Sequence, residues 1–164
     1  MDAFTLSSHK ILKCSICSDS EYDIRYMTTT TKKGYARHHT ALEDGTSGAA
    51  GATIDWRERT FEISGTRQDV AQMKTQKSMF SGTRYWRWLD GEEYKVKYWG
   101  GENTWQVLTP TEEVVAAFTS YIGRIFSEDS LPILRISHNI REEAQRRFLI
   151  LILLYSETKR LDSD

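Results

Sequence analysis

The sequence predicts a mainly β protein, an antiparallel barrel or sandwich with one helix at its C-terminal end. Segments that alternate apolar and polar residues recur at a spacing of about 8–12 residues, which is typical of such sheets. Aromatic residues make up 12% of the chain and only two prolines occur. One uninterrupted apolar run, 148–155, lies near the end of the sequence. Strands followed by one helix predict a single domain over residues 1–164.

Period-two alternation places the strands. Tyr22, Ile24 and Tyr26 alternate with Asp23 and Arg25, as expected of a strand with one buried and one wet face. The predicted strands cover 4–6, 10–17, 22–31, 35–40, 54–56, 60–63, a hairpin between 83 and 99, then 103–109, 114–118, 121–125 and 131–137. Segment 69–79 fits either a short helix or two edge strands. The Gly- and Ala-rich segment 42–52 predicts a flexible loop.

The register of the clearest hairpin follows from its buried face. A three-residue loop at 90–92 pairs Trp88 with Tyr94 and Trp86 with Val96, so the large apolar side chains share one side of the hairpin. A two-residue turn would place Trp88 opposite a glutamate and shift every later pair. We therefore predict the three-residue loop.

The run 148–155 predicts a buried central helix at 139–160. Asn139 can cap its start, with Glu142 at the capping-box position, and basic residues lie near its negative end. A helix that is apolar all round is buried on every side, so the strands are expected to wrap it. Eight apolar residues span about 12 Å, well short of the ~20 residues that cross a bilayer. A short apolar run also fits a buried strand.

Several short pieces form a further pattern along nearly the whole chain: Tyr22-Asp23-Ile24, Ile54-Asp55-Trp56, the hairpin 84–98 with Asp90-Gly91, Trp105-Gln106-Val107, the strand 131–136 and the helix that ends at 155–160. Together they resemble a family of uncharacterised fungal domains, mostly from mushroom-forming species. That family is grouped with the tubby C-terminal, LURP-one-related and phospholipid-scramblase folds. The resemblance implies a closed antiparallel β-barrel of about twelve strands, threaded by the apolar helix. Relatives of this fold include phosphoinositide binders at the plasma membrane, an analogy of fold only.

Two groups of basic residues are the candidate lipid- or phosphate-binding sites. In the predicted register, two lysines share an outward strand face with an arginine on the neighbouring strand, and a second basic group lies at a turn. Cations near an anionic surface contribute on the order of 1 kcal/mol each. An ordinary solvated sheet face has the same composition. The candidate residues are Arg87, Lys95 and Lys97 in the hairpin and Lys32, Lys33 and Arg37 at the turn.

The sequence predicts no catalytic residue, metal site or cofactor. Cys14 and Cys17 form a lone CxxC, and a zinc site needs two more ligands, for which His38 and His39 are the candidates. Adjacent histidines on a regular strand point to opposite faces, so at most one of them is expected to join. We therefore expect structural cysteines. No nucleophile elbow or recognisable metal motif occurs.

Three functional hypotheses follow. The leading one is a non-catalytic module that contacts anionic phospholipid head groups, such as phosphoinositides, as a peripheral membrane protein. The second is a protein–protein interaction module that uses the loop 42–52 and exposed aromatic residues. The third is a small enzyme or small-ligand carrier with a pocket at a barrel end. The net charge of −1 offers no global attraction to nucleic acid. Without a signal-peptide pattern, a cytoplasmic location is expected.

Overall fold

Thirteen strands form one sheet in the computed structural model, which describes residues 1–125 and 127–163. In chain order they are β1 Asp2–Leu6, β2 Ser15–Ser18, β3 Ile24–Lys33, β4 Ala36–Asp44, β5 Ala50–Asp55, β6 Thr60–Ile63, β7 Thr66–Asp69, β8 Lys74–Thr75, β9 Arg84–Arg87, β10 Glu93–Trp99, β11 Thr104–Leu108, β12 Val114–Thr119 and β13 Ile133–Ile136. Two α-helices, α1 Val70–Met73 and α2 Glu143–Asp162, and a 3-10 helix at Gly100–Glu102 complete the fold of the described residues. The mainly β class with one long C-terminal helix is confirmed.

The sheet is antiparallel throughout, and its two edges lie next to each other in the chain. The strand order runs from β7 back to β1, continues with β13 and ends at β8. Only the four residues of α1 separate the edge strands β7 and β8 in sequence. Among the described residues, backbone hydrogen bonds do not join these two edges. Side chains do meet there: Phe61 of β6 stacks on Trp86 of β9, with ring centroids 5.6 Å apart.

The core surrounds α2. Each residue of 148–155 is at most 4% exposed. The helix contacts β5 and β6 in one half of the sheet and β11 and β12 in the other half. The rings of Phe61 and Trp86 each form a T-shaped pair with the ring of Tyr155, and the ring centroids are 5.7 Å apart in both pairs. The sheet therefore wraps the helix, as the all-round apolar run predicted, and no helix in the described ranges is long and apolar enough to cross a bilayer.

The predicted start of the helix was wrong. The helix begins at Glu143, and no side-chain hydrogen bond caps it, so Asn139 and Glu142 do not form a capping box. Arg146 fastens the preceding turn instead, because its Nε donates to the carbonyl oxygen of Ile140 at 2.6 Å. Its Nη2 also donates to Asp2 at 2.8 Å, which ties the start of the helix to β1. The first turn is thus held by tertiary contacts rather than by a local cap.

The predicted hairpin register was off by two residues. Trp86 pairs with Tyr94 rather than with Val96, and the loop covers 88–92. A shift of two keeps every side chain on its predicted face, because the side-chain period of a strand is two. Both Trp86 and Tyr94 are accordingly buried, at 1% and 2% exposed. Alternation alone does not distinguish these two registers; the longer loop lets Trp88 leave the strand and contact Phe148, with ring centroids 5.6 Å apart.

The predicted flexible loop 42–52 is mostly strand. Leu42 is fully buried in β4, and the turn between β4 and β5 is only 45–49. Two of its three glycines have a steric cause, because a Cβ on Gly45 would overlap the carbonyl oxygen of Ile24 and one on Gly51 would overlap the guanidinium of Arg147. Small residues here permit close packing.

Two further strand predictions differ from the structure, and one ambiguous segment is settled by it. Predicted strand 10–17 is shorter, since β2 begins at Ser15. Predicted strand 121–125 is absent; there Ile122 forms one isolated bridge with Ser130. The ambiguous segment 69–79 contains both elements that were considered, since α1 is followed directly by the edge strand β8.

Candidate functional site

The predicted basic strand face is largely neutralised by acidic neighbours. Lys95 Nζ lies 3.1 Å from a carboxylate oxygen of Glu112. Arg87 Nη2 lies 3.8 Å from Glu93. Lys97 instead lies over an indole ring, 4.1 Å from the ring centroid. The sheet does bring these three cations onto one face, but two of the three already have carboxylate partners.

The predicted basic turn lies beside the C-terminal end of α2. Arg37 donates two hydrogen bonds to Asp162 at 2.9 and 3.0 Å, which holds the pKa of that carboxyl below its usual range. Lys32 borders a cleft of about 690 Å³ together with Arg37 and the lysines Lys10 and Lys13. Lys33 is exposed at the end of β3. Two of the three predicted residues therefore line this cleft.

A second cationic group at the same end was not predicted from the sequence. Lys74 begins β8, Arg84 begins β9, Lys159 lies in the last turn of α2, and Arg59 lies in the turn between β5 and β6. Lys74, Arg84 and Lys159 line one pocket of about 360 Å³. These residues come from elements that are far apart in sequence, and only the curling of the sheet around α2 brings them together. No local motif could have signalled them.

Aromatic rings form the apolar wall of this pocket. Lys74 Nζ lies 5.5 Å from the centroid of the Tyr155 ring and 5.8 Å from that of Trp86. Lys159 Nζ lies 5.6 Å from the Tyr155 centroid. Such cation–π contacts contribute about 0.5–2 kcal/mol each. In the described part of the chain, Lys74 has these rings rather than a carboxylate as its close partners, whereas Lys159 also lies near enough to Asp162 for its charge to lower the pKa of that carboxyl.

The surroundings of Lys74 disfavour its charged form. Burial lowers the pKa of Lys74, and the positive charges of Arg84, Lys159 and Arg59 lower it further. Desolvation and like charges both disfavour the ammonium form, whereas a bound anion would favour it. The arrangement therefore favours a negatively charged ligand.

Nearby carboxylates leave the Arg84 side of the pocket positive. Glu157 is only 2% exposed, and it accepts hydrogen bonds from Trp105 Nε1 at 2.7 Å and from Arg160 at 2.6 and 3.0 Å. Its charge is thus already paired. Glu58 and Asp69 border an adjoining cleft of about 430 Å³ on the far side of Lys74.

The wall of the pocket also holds an unused hydrogen-bond donor. Trp86 is 1% exposed, and its Nε1 has no acceptor among the described residues. Buried polar groups are normally hydrogen-bonded, and an orphaned one marks a place where a ligand or water can bind. The donor atom itself is buried, so it belongs to the interior of the wall rather than to the surface that the cations face.

Exposed apolar side chains surround this end of the molecule. Met79 and Phe80 are 86% and 96% exposed in the 76–83 connection, whose Gly82 lines the pocket. Tyr35 is fully exposed in the turn between β3 and β4, beside the cleft that Lys32 borders. We call this surface the cationic end. It comprises the cations Lys74, Arg84, Lys159 and Arg59 together with the exposed apolar side chains described here.

The cysteines are free and do not combine with the histidine pair. Cys14 is buried, its Sγ lies 3.6 Å from Thr28 Oγ1, and burial raises the pKa of the thiol. The prediction that His38 and His39 point to opposite faces was wrong, since their ring centroids are 3.9 Å apart. Both histidines lie next to Asp55 instead.

Comparison with models of known protein families, with curated proteins and with solved structures found no match for this chain. Function is therefore inferred from the geometry and chemistry of the molecule itself.

Proposed function

We propose that this chain is a non-catalytic binding module that holds a phosphorylated group at its cationic end, at the surface of a membrane. The observation that carries this proposal is the partly buried Lys74. The charges of Arg59, Arg84 and Lys159 act on it. Within the described ranges, its close partners are aromatic rings rather than carboxylates. Burying a charge without a counter-ion is costly, and a bound anion supplies that counter-ion.

The chemistry of the pocket favours phosphate over a simple carboxylate. Guanidinium and ammonium groups approach from several elements and match the several oxygens of a phosphate group. The volume of about 360 Å³ lies within the usual range of small-molecule sites, about 300–1,000 Å³. Trp86, Trp105 and Tyr155 line the pocket, and of these Trp105 is the partly exposed ring that a sugar or inositol ring can contact.

The exposed apolar side chains favour a membrane as the source of that phosphate. Met79 and Phe80 lie two to three residues before Gly82, which lines the pocket, and both side chains are almost fully exposed. A surface that joins apolar side chains to unpaired cations suits the boundary between lipid head groups and acyl chains. Soluble inositol phosphates share the head-group chemistry, so the experiment must separate the two sources.

The relation to the tubby C-terminal fold and the closed barrel are part of the same proposal. The approach of the two sheet edges supports closure, because α1 links them and Phe61 stacks on Trp86 across them. The interaction hypothesis based on segment 42–52 and exposed aromatic residues stays an alternative, although most of that segment is paired strand and its exposed part is 46–50.

Vesicle flotation at two salt concentrations tests the proposal. Neutral vesicles, with and without phosphatidylinositol bisphosphate, are compared in the presence and absence of soluble inositol trisphosphate. We expect flotation that requires the phosphoinositide and falls as salt rises. Binding to the soluble compound without flotation would point to a small-ligand carrier that uses the same pocket. No binding in either arm would overturn the proposal.

A matched pair of variants locates the site. Lys74→Met removes the charge and keeps the length of the side chain, so we expect it to reduce binding at least about fivefold. Lys77→Met serves as the control, because Lys77 lies three residues away and already pairs with Glu93 at 2.6 Å. Equal effects of the two variants would place the ligand elsewhere.

A further inference from the structure

A β-bulge brings two histidines and an aspartate together on the outer face of the sheet. Thr31 of β3 pairs with His39, whereas Lys32 pairs with Arg37, so His38 is an extra residue in β4. In a regular strand His38 and His39 would point to opposite faces. The bulge turns both imidazoles to the same side, with ring centroids 3.9 Å apart and ring planes 36° apart.

The neighbouring strand supplies a carboxylate. Asp55 is the cross-strand partner of His39, and its Oδ2 lies 3.0 Å from His39 Nε2. The other oxygen, Oδ1, accepts the backbone N–H groups of Arg57 at 3.0 Å and Glu58 at 2.8 Å. Asp55 is only 8% exposed. The carboxylate is therefore held in place by the following turn, which leaves Oδ2, the oxygen beside His39, to serve as a ligand.

We propose that His38, His39 and Asp55 bind a divalent transition-metal ion of the Zn²⁺ class. One ligand atom from each residue can be chosen so that all three lie within 4.8 Å of one another. Zn²⁺ at about 2.0–2.1 Å from its ligands holds them roughly 3.3 Å apart, and rotation of the partly exposed imidazoles closes that difference. Two imidazole nitrogens and one carboxylate oxygen form a donor set that suits Zn²⁺, Co²⁺ and Ni²⁺ better than Ca²⁺ or Mg²⁺.

The surroundings match a site with three protein ligands and an open position. The side chain of His39 is 44% exposed while that of Asp55 is 11% exposed, so solvent reaches the histidine side of the cluster. The backbone donors on Oδ1 act as the outer contacts that orient a metal-binding carboxylate. Backbone bonds also fix His38, since its carbonyl oxygen accepts the N–H of Trp56 at 2.9 Å.

Isothermal titration with Zn²⁺ and visible absorption with Co²⁺ test this site in the whole chain. We expect one equivalent to bind and the melting temperature to rise with Zn²⁺. His38→Ala and His39→Ala should each weaken binding by at least about tenfold. Asp55→Asn keeps an acceptor for the two backbone N–H groups and should weaken binding comparably. Cooperative unfolding of each metal-free variant confirms that it is folded.

His138→Ala is the matched control. Its Nε2 also lies 2.9 Å from an aspartate, Asp2, but among the described residues no third histidine, cysteine or carboxylate lies close enough to share a metal ion with that pair. We expect Zn²⁺ binding to be unchanged in this variant. The assignment would be overturned if the native chain did not bind Zn²⁺, or if all three site variants bound it as tightly as the native chain does. Loss of binding in His138→Ala would move the site to the Asp2 pair and overturn it as well.

Discussion

Near the end of α2, some charged side chains have a partner of opposite charge and others contact aromatic rings. This difference determines which charges of the surface can bind an anion. Glu157 is buried but fully used by Trp105 and Arg160. Lys74 and Lys159 contact rings rather than acids. The sequence shows which residues are basic, but not which of them have partners. Lys95 illustrates this, because its partner Glu112 comes from the connection between β11 and β12.

Arg160→Ala should destabilise the fold by about 2–3 kcal/mol, because it leaves the buried carboxylate of Glu157 without its cation. Urea unfolding measures this cost. In a Glu157→Gln background the same substitution should cost clearly less, since no buried charge remains and Gln can still accept the Trp105 N–H. An equal cost in both backgrounds would contradict the role of the pair.

Asp44 should make stability depend on pH in the acid range. The Thr46 hydroxyl and the N–H groups of Ser47 and Thr46 lower the pKa of Asp44 below its ordinary 3.8. The stabilisation is therefore present above about pH 4 and is lost as the pH falls through the lower folded-state pKa. Asp44→Asn should be less stable than the native chain at pH 7, and the difference should shrink by pH 2.5 in urea unfolding. A pH-independent difference would contradict this.

At the scale of elements, apolar patterning predicted the strands and the buried helix, while local capping signals misplaced the helix start. The run 148–155 determines the position of α2 in the core, because burial of its apolar surface contributes most to the stability of the helix in the fold. Asn139 resembles a cap, but the contacts of Arg146 with Ile140 and Asp2 decide where the helix begins. The Gly-rich segment 42–52 was mispredicted as a flexible loop for a similar reason, since tertiary packing and not flexibility requires glycine at positions 45 and 51.

Leu151→Asp or Ile152→Asp should unfold the domain. Both side chains are fully buried, and a charge there costs several kcal/mol, comparable with the total stability of a domain. Leu161→Asp on the same helix is the control, since Leu161 is 48% exposed. Far-UV circular dichroism during heating measures the outcome. A cooperative transition in the Leu151 variant would mean that α2 is not central.

Gly45→Ala should destabilise the β4–β5 hairpin by about 1–3 kcal/mol, since the new Cβ would collide with the backbone carbonyl of Ile24. Gly101→Ala is the control, because a Cβ there meets no atom within 4 Å. Chemical denaturation compares the two variants. If Gly45→Ala and Gly101→Ala lowered the free energy of unfolding equally, the predicted collision with Ile24 would be wrong.

At the scale of the whole molecule, curling of one sheet around α2 creates a surface that no linear segment contains. Lys74 and Arg84 lie near the β8 edge, Arg59 lies between β5 and β6, and Lys159 comes from the helix. The fold class followed from periodicity and aromatic content. The cationic end could not be predicted in this way, because its residues become neighbours only when the sheet edges formed by β7 and β8 approach each other.

The comparison that tests the central claim most directly is vesicle flotation of two double variants that lose the same charge. Lys74→Ala with Lys159→Ala removes unpaired cations at the end of α2, and Lys95→Ala with Lys97→Ala removes the sequence-predicted strand face. We expect the first variant to lose phosphoinositide-dependent flotation at least about tenfold, at two cations near 1 kcal/mol each, while the second floats like the native chain. Loss in the second variant with retention in the first would contradict the cationic end as the binding site.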